Sequence, residues 1–234
     1  MITVATAMAA ALAAGGIMAY FTDGDTATNT FTVGKVSIDL QEPNWDPDNA
    51  TDLTPEEETK KDPQIKNDGV NDAYVFLKVT VPYANVVTAS DDGTKKAAAD
   101  TELWHYDVKD GWTELTAYLN KDTTSKTVTH LYAWTGDTAQ AMKAVKAGET
   151  TGSLFDWVQV ANIVEDQQVE ATTQNIKVDA YGIQTDNIND GKDALDGNNA
   201  DGKTAPAAVW DVLNKQAPTT DVTVPENPKT DIKQ

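Results

Sequence analysis

Apolar residues recur at every second position along most of this chain, and a period of two predicts strands. The clearest run is Ala73–Val81. Ala73, Val75, Leu77, Val79 and Val81 fall on one face and Tyr74, Phe76, Lys78 and Thr80 on the other, and Pro82 is expected to end the strand. A short strand at Gln64–Asn67 leads into it through the turn sequence Asn67-Asp68-Gly69. Further strands are predicted at Leu103–Val108, Trp112–Leu115, Thr127–Trp134, Phe155–Val160 and Asn175–Gln184. Near the start, Phe31 and Val33 are followed by Val36, Ile38 and Leu40, so the parity changes at Gly34, where a bulge would restore the register.

Between these runs the pattern changes. Gln41–Lys61 holds Pro43, Pro47 and Pro55 among polar residues and reads as loop, with Trp45 expected to pack back onto the body. Ala139–Ala147 has helix-forming composition and stops at Gly148, while Val209, Trp210 and Leu213 follow Pro206 at helical spacing. Asp186–Lys203 and Ala217–Gln234 carry almost no apolar residues and read as mobile. Many short strands, a few short helices and long loops predict an all-β, jelly-roll-like β-sandwich over residues 31–214.

The first residues follow a different rule. An uncharged apolar run from Ile2 to Met18 breaks at Gly15-Gly16 and passes into Tyr20-Phe21-Thr22-Asp23. It reads as a signal peptide over residues 1–19, cut between Ala19 and Tyr20. A retained anchor is the alternative, because about 18 apolar residues marginally span a bilayer. The Ala-rich run is only weakly hydrophobic, and no basic flank follows it. Residues 20–30 would then be a free arm ahead of the body, and residues 215–234 a flexible tail.

Charge narrows the partners. The chain has 37 acidic and 18 basic residues, all of the latter Lys, for a net charge of −19. Such acidity disfavours nucleic acid and anionic lipid surfaces, and without Arg there is no bidentate clamp for phosphate. The membrane is expected only as the site of the uncleaved precursor. Cysteine is absent, which removes disulfides, thiolate metal ligands and thiol chemistry.

Candidate catalytic residues are few. The two histidines, His105 and His130, lie in predicted strands, and neither belongs to a helical His-Glu-x-x-His, which would set two imidazoles and a base on one face. A site built from both and a carboxylate could form by folding, although ordinary strand positions account for each. No nucleophile elbow or Walker loop is present. Asp186–Gly191 imitates the start of an EF-hand, but Ile188 holds the third position and Gly197 the twelfth, where carboxylate ligands belong. Loosely held calcium among Asp46, Asp48, Asp186, Asp190 and Asp193 is the one cofactor to consider, with a solvated acidic loop as the plainer account. Six tryptophans invite the idea of glycan stacking, and Trp104, Tyr106 and Trp112 are the candidate exposed platform.

Gly15–Asp23, Ala27–Gly34 and Val36–Leu40, with Pro63–Asn67, Ala73–Val79, Leu154–Asp156 and Val178–Gln184, together resemble the TasA/camelysin family of secreted proteins. The resemblance implies processing by a SipW-type signal peptidase. It also implies a jelly-roll subunit of fibres in a biofilm matrix or on a cell or spore surface, joined to copies of itself by donor-strand exchange. Camelysin-like proteins are classed as metallopeptidases, so the resemblance also carries that alternative; a glycan-binding adhesin is a third. The arm's own composition is compatible with exchange. Its polar middle cannot form a stable strand alone, whereas Tyr20, Phe21, Ala27 and Phe31 offer side-chain contacts to an accepting sheet. A head-to-tail contact of this kind makes an open filament. Pairing of the arm within its own sandwich is equally open.

Overall fold

The computed structural model describes residues 36–50, 53–167, 169, 175–186 and 205–216. The signal peptide, the cleavage pair Ala19 and Tyr20, the arm residues Phe21, Ala27 and Phe31, and the bend at Gly34 lie outside the described residues. So do residues 187–204 and 217–234.

The alternating run does form the central strand. Ala73–Val86 is β4, and Val75, Leu77, Val79 and Val81 on its inward face are fully buried. It is flanked by two antiparallel strands, β11 (Lys177–Gln184) and β9 (Thr127–Gly136), with Leu77 opposite Ala180 on one side and Tyr132 on the other. β7 (Gly111–Glu114) pairs with the outer side of β9, giving the order β11-β4-β9-β7. β8 (Asn120–Asp122) adds to β9, and β5 (Ala99–Glu102) adds to the far end of β4.

Facing this sheet is a second layer. β1 (Ile38–Gln41) pairs with β3 (Gln64–Asn67), and β10 (Trp157–Val160) lies between β2 (Glu58–Lys60) and β6 (Trp104–His105). Backbone bonds run on between these two groups: Thr151 N donates to Ile65 O at 2.9 Å, Leu154 N to Pro63 O at 2.8 Å and Lys61 N to Asp156 O at 3.1 Å. The chain is thus an all-β sandwich. Ile65, Leu154, Phe155 and Val158 of this layer meet the inward face of β4 to form the main core.

The outer face of the larger sheet is covered in part by the helix α1 (Pro206–Gln216). Pro206 suits a first helical position because its missing N–H would have no partner there. Val209 is fully buried, and Trp210 meets Phe76 and Tyr181 edge-on at ring-centroid distances of 5.2 and 5.3 Å. Burying one such aliphatic side chain is worth about 1.5–3 kcal/mol. The Tyr118 hydroxyl donates to Asp211 Oδ1 at 2.6 Å and fixes the helix laterally. No helix among the described residues is long and apolar enough to cross a membrane.

Four expectations need correction. Gln41–Lys61 is not loop throughout, because Glu58–Lys60 becomes β2 by pairing with β10. Pro82 does not end its strand. It sits where β4 leaves β9 and acquires β5: Pro82 O accepts from Leu103 N at 2.9 Å, and pairing to β5 begins at Tyr83. A residue without an N–H is tolerated where no ladder donor is needed. Ala139–Ala147 is not helical, because Val145 exchanges both backbone bonds with Ala73 and is held extended. Leu103–Val108 is not one strand; only Trp104–His105 pairs with β10, after β5 has paired with β4. One glycine is also dictated by packing. Gly111 has φ +95° at a register shift between β7 and β9, and a Cβ there would run into the Trp134 ring.

Candidate functional site

Strand parity decides what enters the sandwich. On β9, Tyr132 and Trp134 point toward the opposite layer while Leu131 and Ala133 face α1. His130 shares the parity of Tyr132 and therefore points inward. On β7, Trp112 is buried in the same core, and Glu114 lies two residues on, on the same face. β5 places Glu102 at the crossing between the layers.

These three side chains meet. His130 Nδ1 lies 2.7 Å from Glu114 Oε1, and its Nε2 lies 3.1 Å from Glu102 Oε2. The imidazole is 13% exposed. Tyr132 lies nearly parallel to it at 6.2 Å between ring centroids, and Tyr106 meets it edge-on at 6.4 Å. The Tyr106 and Tyr132 hydroxyls are 3.0 Å apart, and the Tyr106 ring packs on Phe155 at 4.5 Å. The cluster therefore joins both layers to the edge of the apolar core.

The electrostatics follow from that geometry. Burial is the largest single influence on His130 and works against its charged form, but the hydrogen bonds and charges of Glu102 and Glu114 together outweigh it and raise the pKa above 6.5. Burial also pushes both tyrosine hydroxyls well above their ordinary range, with the neighbouring glutamates acting in the same direction. Both remain protonated, one donating to the other.

Beside the cluster is a cavity of about 370 Å³, whose wall includes Glu102, His105, Tyr83, Asp100 and Lys121. Lys121 pairs with Asp100 at 2.7 Å, linking β8 to β5. His105 is exposed on β6 and lines this cavity, while His130 points into the sandwich.

The expected aromatic platform is not exposed. Trp112 is 6% exposed; its Nε1 donates to Gly152 O at 3.0 Å, and Trp134 packs on it edge-on. Trp104 and Tyr106 pack against the same core. Their inward parity and the large area each ring buries account for this. The most open tryptophan is Trp157 at 45%, at a cavity of about 320 Å³ with Asn44, Lys60, Asp62 and Asp156. Its run Phe155–Val160 resembled any buried strand, so nothing in the sequence singled it out. Trp45 does fold back, with Lys61 Nζ 4.5 Å from its ring centroid. Of the loose acidic group, Asp46 caps its own turn by accepting from Asp48 N and Asn49 Nδ2, each at 3.1 Å; Asp190 and Asp193 lie outside the described residues.

An all-β sandwich with an inward carboxylate–imidazole cluster is thus the class of molecule in view. A family model described as camelysin metallo-endopeptidase matches residues 1–169 of the 234, and the chain belongs to that family. Comparison with curated proteins gives no match.

The family name implies a catalytic metal, and the donor set can be tested for it. The chain's nitrogen donors of that kind are two histidines, and it has no cysteine. The two ring nitrogens of His130 point in opposite directions, each to its own glutamate, so they cannot serve one ion. Among the described residues no three His, Asp or Glu side chains converge to hold a metal. The described residues do not fit a catalytic metal centre.

Proposed function

We propose that this chain is a secreted structural subunit that polymerises head to tail into fibres of an extracellular matrix or a cell or spore surface, by docking residues 20–30 of one copy onto the sheet of the next. A SipW-type signal peptidase would free the arm, and no cofactor is required. Membership of the camelysin family supports the reading, as does a donor set that, among the described residues, holds no group of His, Asp or Glu able to bind a metal. The observation that carries it is the β11 edge. This eight-residue strand pairs with β4 on one side and, among the described residues, with no strand on the other. An edge of that length with no strand partner among the described residues is a template for an added strand, and a segment as long as residues 20–30 matches it at about 3.3 Å per residue.

Electron microscopy of the exported protein and of a variant lacking Tyr20–Asn29 tests the reading. Fibres are expected from the first and not the second, and unchanged fibres from the deletion would overturn arm exchange. N-terminal sequencing of the exported form is expected to begin at Tyr20. The family name favours metallo-endopeptidase activity as the second reading. Peptide hydrolysis by metal-saturated protein, abolished by both His105→Ala and His130→Ala, would favour it instead.

A further inference from the structure

A ring nitrogen donates to a carboxylate only while it carries a proton, and His130 faces a carboxylate oxygen from each of its two nitrogens. As an imidazolium it makes two charge-assisted hydrogen bonds and separates two acidic groups with a positive charge. As a neutral ring it keeps one donor, turns a lone pair toward the other glutamate, and leaves the two acids without a cation between them. The three side chains come from β9, β7 and the end of β5, where the chain crosses to β6 in the other layer.

We propose that Glu102–His130–Glu114 is a pH-operated clasp, which ties the crossing segment 99–105 to β7 and β9 while His130 is doubly protonated and releases that end of the sandwich when one proton leaves. The release is local, because Ile65, Leu77, Leu154 and Phe155 at the centre of the core carry no titrating group and the Tyr132 hydroxyl beside them stays protonated across the neutral range. It does not depend on whether the chain polymerises.

Every group packed against His130 fits this role. Glu102 faces it from β5 and Glu114 from β7. Tyr132 on β9 and Tyr106 after β6 supply rings whose hydroxyls stay protonated across the neutral range. Beyond Glu102, Lys121 and Asp100 each stabilise the other's charged form, chiefly through the hydrogen bond between them. Glu102 also lines the surface cavity, which brings solvent to the clasp as a route for the proton. The sign follows from linkage. A histidine whose folded pKa is raised contributes fully below its unfolded value near 6.5, and that contribution is lost as pH rises through the folded value.

The test uses the full chain carrying His105→Gln, which leaves a single imidazole to follow by NMR. His130 is expected to titrate at higher pH in the folded chain than in the same chain unfolded in urea, and Glu114→Gln is expected to shrink the gap. Amide hydrogen exchange in 99–105, corrected for its intrinsic pH dependence, is expected to accelerate as pH rises through the folded value. The ceiling is about tenfold for each unit by which the closed state's pKa exceeds the open state's. Amides of β4 around Leu77 should not follow. Should Glu114→Gln fail to fold, Glu102→Gln makes the same measurement from the other nitrogen. Titration of His130 at or below its unfolded value, or protection of 99–105 that ignores pH, overturns the clasp.

Discussion

The centre and one end of the same sandwich are held by opposite kinds of force. At the centre, Ile65, Leu77, Leu154 and Phe155 are fully buried, and burial and dispersion bring the layers together there without an ionised group. At the end, Glu102, His130 and Glu114 join β5, β9 and β7 of the larger sheet through charge. Tyr106 belongs to both, with its ring on Phe155 and its hydroxyl on Tyr132. Stability here is therefore not one number for the whole fold. Solvent conditions can move the end while the centre stays put.

The strongest way to break that contrast is to damage the centre. Phe155→Ala removes a ring from a fully buried site and is expected to cost about 3–5 kcal/mol, equally at pH 6 and pH 9, read as a fall in the urea midpoint. The end should answer differently. His130→Ala is expected to cost about 1.5–3 kcal/mol for each of the two hydrogen bonds to charged groups lost at pH 6, and less at pH 9, where the parent's neutral ring keeps only one donor. Equal costs at the two pH values would erase the difference between the regions. On the acid side the order reverses. Lys109 first and Ser153 next hold the Asp156 carboxyl below its ordinary value, so that contribution exists above the unfolded value and fades as pH falls through the folded one.

Much of the centre could be read from the sequence, and only part of the end. β3 and the first nine residues of β4 follow the period of two, because both strands bury one whole face. β5, β2 and β8 read Ala-Asp-Thr-Glu, Glu-Thr-Lys and Asn-Lys-Asp. Nothing apolar marks them, and they become strands because β4, β10 and β9 offer them backbone partners. That is why Glu102 could not be placed in advance. Glu114 and His130 were within reach: each shares the parity of an inward tryptophan, Trp112 and Trp134, and a charged group on a core-facing parity needs a partner. The Ala139–Ala147 segment failed in the other direction, since local helix preference was overridden by two backbone bonds at Val145.

Smaller effects sharpen the contrast further. The Lys109–Asp156 pair spans 2.6 Å at the surface with both side chains nearly half exposed, so Lys109→Ala is expected to cost about 0.2–1 kcal/mol and to lose even that in high salt.

The smallest expected effect is the most discriminating. His105 and His130 are the same chemistry some 25 positions apart, one exposed on β6 and one clamped between glutamates. His105→Ala touches neither the apolar centre nor the carboxylate pair, and is expected to change stability by less than about 0.5 kcal/mol at pH 6 and pH 9 alike. Its neighbour across the cavity, Glu102, would keep its bond to His130. If His105→Ala instead reproduced the pH-dependent loss seen with His130→Ala, the cavity side of Glu102 would govern that end of the molecule. Charge would then be held by whatever lines the cavity, and the inward imidazole would be an ordinary part of the core.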